Sequence, residues 1–132
     1  MAKKRSNETV RPTDAELAIL RVLWQRGPST VRQIHNAIKD ERDTGYSTTL
    51  KMVQVMTDKG LLLKDESTRP QVFTPSRPQE HTQVQLLDEL IQRAFGGSVE
   101  SLVMRAVSAK RITPAELGEI KKLVERARKE RP

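Results

Sequence analysis

Residues 45–66 read GYSTTLKMVQVMTDKGLLLKDE, and the change of character at Gly60 decides the fold. Before the glycine, Thr49, Met52, Val53 and Met56 stand at i, i+3, i+4 and i+7, one inward face of a helix. After it, Leu61-Leu62-Leu63 begins a strand. Ser47 is expected to be the N-cap, because its hydroxyl can accept an amide that the first turn leaves unbonded. Gly60 is expected to be the stop, because glycine tolerates the left-handed conformation found there. The other face carries Thr48, Leu50, Lys51, Gln54 and Val55, residue types that a buried helix would not need.

Towards the N-terminus, Thr13-Asp14-Ala15-Glu16 is a capping box, in which Thr13 accepts an amide and Glu16 reaches back. Leu17, Leu20, Leu23 and Trp24 follow at helical spacing, with Ile19 alongside, until Gly27-Pro28 stops the helix. Ser29 or Thr30 caps a second helix, whose Val31, Ile34 and Ile38 form one apolar stripe. Towards the C-terminus, Ser67-Thr68-Arg69-Pro70 is a turn and Gln71-Val72-Phe73-Thr74 a return strand. Pro75 and Pro78 then break the chain, placing a boundary near residue 76.

The remainder is helical. A fourth helix is expected over about residues 79–95, with Val84, Leu87, Leu90, Ile91 and Phe95 on one face. Gly96-Gly97 ends it, and Ser98 caps a fifth carrying Val99, Leu102, Val103 and Ala106. Thr113-Pro114-Ala115-Glu116 opens a sixth, made amphipathic by Leu117, Ile120, Leu123 and Val124. The fold class is therefore mainly α with a small β-hairpin. Helices then hairpin over residues 12–76 is the order of a winged helix-turn-helix. Residues 77–132 form a three-helix region, and residues 1–11 a disordered basic tail.

Composition limits what such a fold can do. The chain has 132 residues, 24 Lys and Arg against 17 Asp and Glu, and a net charge of +7. A small basic protein attracts polyanions, nucleic acid foremost. Without cysteine there are no disulfides, thiolate zinc sites, iron–sulfur clusters or thiol catalysis. His35 and His81 lie far apart without a carboxylate pattern beside them, so neither a metal site nor a catalytic residue is expected. Gly96-Gly97 closes a helix rather than opening one after a strand, so it is no phosphate loop. No cofactor is expected, and an enzyme is set aside. MAKKRSNETVRP has no apolar stretch behind its basic run, and no segment approaches the about 20 apolar residues of a membrane span. The expected location is the cytoplasm, without direct membrane binding.

In a winged helix, the outer face of the third helix can enter a major groove. Thr methyls, Leu and Val suit thymine methyl groups, Gln reads adenine, and Lys reaches guanine or phosphate. The candidate DNA-binding set is Thr48, Leu50, Lys51, Gln54 and Val55, with Lys64 and Arg69 on the hairpin and Thr30 and Ser47 at helix starts. The basic tail Lys3-Lys4-Arg5 is a further candidate for phosphate or minor-groove contact.

Three segments then resemble the BlaI/MecI family of penicillinase repressors: PTDAELAILRVLWQRGPSTVRQI, GYSTTLKMVQVMTDKGLL and LIQRAFGGSVESLVMRAV. The resemblance runs from about residue 12 to 129. It implies a homodimeric transcriptional repressor on an inverted-repeat operator, with an N-terminal winged helix and a C-terminal dimerisation region. It also implies DNA contacts at Ser47, Thr48, Leu50, Lys51 and Val55. Members that respond to β-lactams are cleaved at an Asn–Phe bond after a membrane metalloprotease sensor is triggered; the matching positions here are Arg105-Ala106. Copper-responsive relatives carry a C-terminal cysteine motif that this chain lacks.

A dimer is also expected on physical grounds, since two winged helices on a palindrome combine through effective concentration. Val84, Leu87, Ile91, Phe95, Leu102, Val103, Ile120 and Val124 are the candidate dimerisation residues, because a three-helix monomer region of this size cannot bury them all. Two alternatives stand beside the repressor. One is a winged-helix regulator that senses a small molecule directly. The other is an architectural DNA binder with a steep salt dependence and little sequence preference.

Overall fold

A computed structural model describes residues 11–130. The Lys3-Lys4-Arg5 run and nearly all of the tail expected at residues 1–11 lie outside the described residues. The order is α1 Asp14–Arg26, α2 Val31–Arg42, α3 Tyr46–Asp58, β1 Leu62–Asp65, β2 Val72–Pro75, α4 Gln79–Ala94, α5 Val99–Ser108 and α6 Pro114–Glu130. This is a winged helix-turn-helix followed by a helical C-terminal region.

Local signals explain most boundaries. Thr13 Oγ1 accepts the Glu16 amide at 3.1 Å while the Thr13 amide donates to Glu16 Oε1 at 3.0 Å. Thr30, not Ser29, caps α2, in a second reciprocal box with Gln33. Ser29 instead pairs with Phe73: the Phe73 amide donates to the Ser29 carbonyl at 2.8 Å, and the Ser29 amide to the Phe73 carbonyl at 3.2 Å. The hairpin is antiparallel, with Leu62 opposite Pro75 and Lys64 opposite Phe73. The return strand therefore begins one residue later than the sequence suggests, at Val72.

The expectation that Ser47 caps α3 is corrected. The N-cap is Gly45, in extended conformation, and no side chain caps the helix. Tyr46 is already helical because its ring packs edge-on against His35, with centroids 5.6 Å apart, and lies beneath the Arg32 guanidinium. Those contacts outweigh a serine cap one residue later. At the other end Gly60 has φ 87°. The Leu61 amide donates to the Met56 carbonyl at 2.8 Å and the Gly60 amide to Thr57 at 3.1 Å, the Schellman pattern.

The described residues up to Leu86 form one compact unit and those from Leu87 a second. The core of the first comprises Ile19, Leu20 and Leu23 from α1, Val31, Ile34 and Ile38 from α2, Val53 and Met56 from α3, and Leu62 and Phe73 from the hairpin. Full burial of each such side chain contributes about 1.5–3 kcal/mol. The second unit is different: α5 and α6 hold no buried residue. Among the described residues, no helix is long and apolar enough to cross a membrane.

Candidate nucleic-acid interface

The helical period divides α3 cleanly. Thr49, Val53 and Met56 are buried, while Met52, expected to face inward with them, is half-buried at the edge. Ser47, Thr48, Lys51 and Gln54 are exposed, and Leu50 and Val55 are half-buried on the flanks. Ser47, Lys51 and Gln54 thus share a line pointing to solvent. Asp58 continues that line and is also exposed, a feature the sequence reading did not single out. A carboxylate there repels phosphate and can accept from the cytosine amino group. The part of α3 suited to a polyanion is therefore its first half, from Ser47 to Gln54.

A cleft of about 330 Å³ opens between α3, the start of α2 and the hairpin. It brings together four candidates: Thr30, Leu50, Gln54 and Lys64. Ser47, Thr48, Lys51, Val55 and Arg69 do not line it; Arg69 is exposed in the hairpin turn, before Pro70. Thr30 is half-buried, and its hydroxyl, which accepts the Gln33 amide, retains its own hydrogen for an outside acceptor.

The cations of this face differ in their commitments. Lys51 has no carboxylate partner among the described residues. Lys64 is held by Glu66 at 3.2 Å. Next to it, Asp65 Oδ1 accepts the Ser67 hydroxyl at 2.6 Å and the Ser67 amide at 2.9 Å. These bonds, the hydroxyl first, hold the Asp65 carboxyl below its ordinary value, so it is charged at neutral pH. The two acids offset Lys64 and Arg69, and the hairpin is far less basic than its two cations suggest.

One network ties α2 to α3. The Arg32 guanidinium sits 4.0 Å above the centroid of the Tyr46 ring. His35 meets the same ring at 84°. His35 Nδ1 lies 3.1 Å from Thr49 Oγ1, whose hydroxyl donates to the Gly45 carbonyl at 3.3 Å. Nδ1–H is therefore the donor to Thr49. His35 is a packing and hydrogen-bonding residue, as its place beside the apolar stripe suggests.

The candidate dimerisation residues fall into three classes. Val84, Leu87, Val103, Ile120 and Val124 are exposed, with Val124 at 51%. Phe95 and Leu102 are half-buried. Ile91 is buried at 6% exposure, so it is already covered within the chain. Val99, Met104, Val107, Leu117 and Leu123, left out of the candidate set, are exposed as well. Arg105 and Ala106 lie inside α5, and the Arg105 carbonyl accepts the Ala109 amide at 2.9 Å.

Residues 12–126 match the penicillinase repressor family. Two curated relatives, the transcriptional regulator BlaI of Mycobacterium tuberculosis strains CDC 1551 / Oshkosh and ATCC 25618 / H37Rv, are each 31% identical over 96 residues. Each alignment covers 71% of this chain and 70% of the relative.

Proposed function

Because the chain belongs to the penicillinase repressor family, we propose that it represses transcription as a homodimer on an inverted-repeat DNA operator. The α3 face from Ser47 to Gln54 enters the major groove, with Lys51 as its unpaired cation. Thr30, Lys64 and Arg69 contact the backbone beside it. The single observation that carries this reading is the division of α3: buried Thr49, Val53 and Met56 behind, exposed Ser47, Thr48, Lys51 and Gln54 in front.

The dimer rests on the second unit. Exposed Val103, Ile120 and Val124 on helices without a buried residue are apolar surface that a second copy would cover. Repression is steric: a bound dimer occludes the promoter. Relief follows from separating the two copies, which removes half of the DNA contacts. A membrane metalloprotease sensor is the partner this circuit calls for. Its cut would fall within α5 if it used Arg105-Ala106, so that helix must open first.

The test is a gel-shift titration of the full chain on its own upstream DNA against unlabelled non-specific duplex. A discrete complex surviving about a thousandfold competitor supports a sequence-specific repressor, since specific sites win by about 10³ or more. Complexes lost to any competitor, on this DNA and on sites selected from random sequence, would leave only a non-specific binder.

A further inference from the structure

The geometry points to Arg32 as a contact to the DNA backbone phosphate that Tyr46 sets in place before DNA arrives, an inference that rests on the DNA-binding reading above. Arg32 is exposed, and no carboxylate among the described residues pairs with it. It is not a loose surface cation, because its guanidinium lies 4.0 Å over the Tyr46 ring. It shares the cleft with Leu50, Gln54 and Lys64.

Among the described residues no hydrogen bond engages the Arg32 N–H groups, so they remain available to donate. The guanidinium fork matches a phosphodiester, which presents its two free oxygens as a bidentate acceptor. Lysine could supply the charge but not the planar fork. Arg32 stands in the first turn of α2, the helix that crosses the backbone in a helix-turn-helix, rather than in the one that enters the groove. Phosphate is therefore its target, and its contribution is independent of base sequence.

Tyr46 is the positioning residue. His35 holds the ring edge-on, Thr49 holds His35, and the Thr49 hydroxyl is anchored on the Gly45 carbonyl at 3.3 Å. The arginine is thus ordered by the start of α3 itself, which aligns the phosphate contact of one helix with the groove contacts of the other. A side chain ordered beforehand loses less freedom when it binds.

Full-length wild type, Arg32→Ala, Arg32→Lys, Tyr46→Phe, Tyr46→Leu and the Arg32→Ala/Tyr46→Leu double variant are titrated on operator and scrambled duplexes across a salt series. Arg32→Ala is expected to weaken both duplexes by the same factor, about tenfold or more. The salt slope should become shallower by about 0.9 per arginine removed from the complex. Arg32→Lys should recover part of the loss. Tyr46→Phe should bind as wild type, Tyr46→Leu should weaken binding, and Tyr46→Leu should add nothing once Arg32 is alanine. The inference is overturned by unchanged binding of Arg32→Ala, by a loss confined to the operator, or by a Tyr46→Leu loss of the same size with and without Arg32. If Tyr46→Leu does not fold, Tyr46→Met takes its place in the same cycle with Arg32→Ala, and the arginine variants still decide the phosphate contact. A wild type that does not distinguish operator from scrambled DNA defeats the repressor reading yet leaves the uniform Arg32 loss measurable. A wild type that binds neither duplex defeats both.

Discussion

Glu16 and Lys59 join the beginning of α1 to the end of α3. Lys59 Nζ donates to Glu16 Oε1 at 3.0 Å and to Oε2 at 2.8 Å, while Oε1 also accepts the Thr13 amide at 3.0 Å. Glu16 is buried at 6% exposure, whereas the Lys59 side chain is 35% exposed. One carboxylate therefore completes a helix cap and secures the last turn of α3, the helix proposed to face DNA.

Glu16→Ala is expected to cost about 1–3 kcal/mol, the sum of a lost cap and a lost charge-assisted hydrogen bond, discounted because water reaches Lys59. Lys59→Ala should cost less than Glu16→Ala, because the capping box remains. Urea titrations of both variants check the order; equal losses, or none for Glu16→Ala, would sink this account.

Gly60 is held at φ 87° between α3 and the hairpin. Gly60→Ala places a side chain in the left-handed region and should cost about 1–2 kcal/mol. Denaturant midpoints measure it, and a variant as stable as wild type would show that the turn relaxes without penalty.

The cations of the proposed DNA-facing surface should respond differently to substitution. Lys51→Ala is expected to weaken operator binding by about 1–3 kcal/mol if it reads a base, with the melting temperature unchanged because the residue is exposed and unpaired. Glu66→Gln should tighten binding and steepen the salt slope, since it frees Lys64 from a 3.2 Å ion pair. Opposite or null changes in a salt-series titration would remove these residues from the interface.

The turn at Asp65 has its own acid limit. A carboxyl whose folded pKa is lowered by the Ser67 hydroxyl and amide contributes fully above its unfolded value and loses that contribution as pH falls through the lowered one. The Ser67 amide resonance should therefore hold at neutral pH and shift only below the ordinary carboxylate range. Asp65→Asn should abolish that titration; a shift that persists in the variant would place its source elsewhere.

The apolar surface of the second unit predicts that Val103→Glu or Val124→Glu yields monomers. Each residue is about half exposed in the chain, so monomer stability should change by no more than about 0.5 kcal/mol. Sedimentation of the full chain reads the outcome, and variants that remain dimeric would move the interface off these helices.

Features written within one helical turn were legible from the sequence. The Thr13–Glu16 and Thr113–Glu116 boxes form as their spacing demands, and the buried line of Thr49, Val53 and Met56 follows from the helical period. Contacts between distant segments were not. The Ser47 expectation failed because Arg32 and His35 meet Tyr46 across the turn between two helices, which no local pattern encodes. For the same reason Glu16 read only as a cap, with Lys59 lying 43 residues on. The sequence did not single out Arg32, because its contact with Tyr46 joins two different helices. Glu66 follows Lys64 with only Asp65 between them, but that their side chains would turn toward one another depends on the hairpin's conformation.

The pairing of Ser29 with Phe73 makes the hairpin a cantilever. Its root is clamped on one side by the turn between α1 and α2, and on the other by the Leu61 amide donating to the Met56 carbonyl of α3 at 2.8 Å. Only the tip, residues 66–71, lies beyond those supports. If the hairpin meets DNA as proposed, a wider or narrower groove must be met by flexing that short overhang, because the beam cannot swing from its base without also pulling on the entrance to α2.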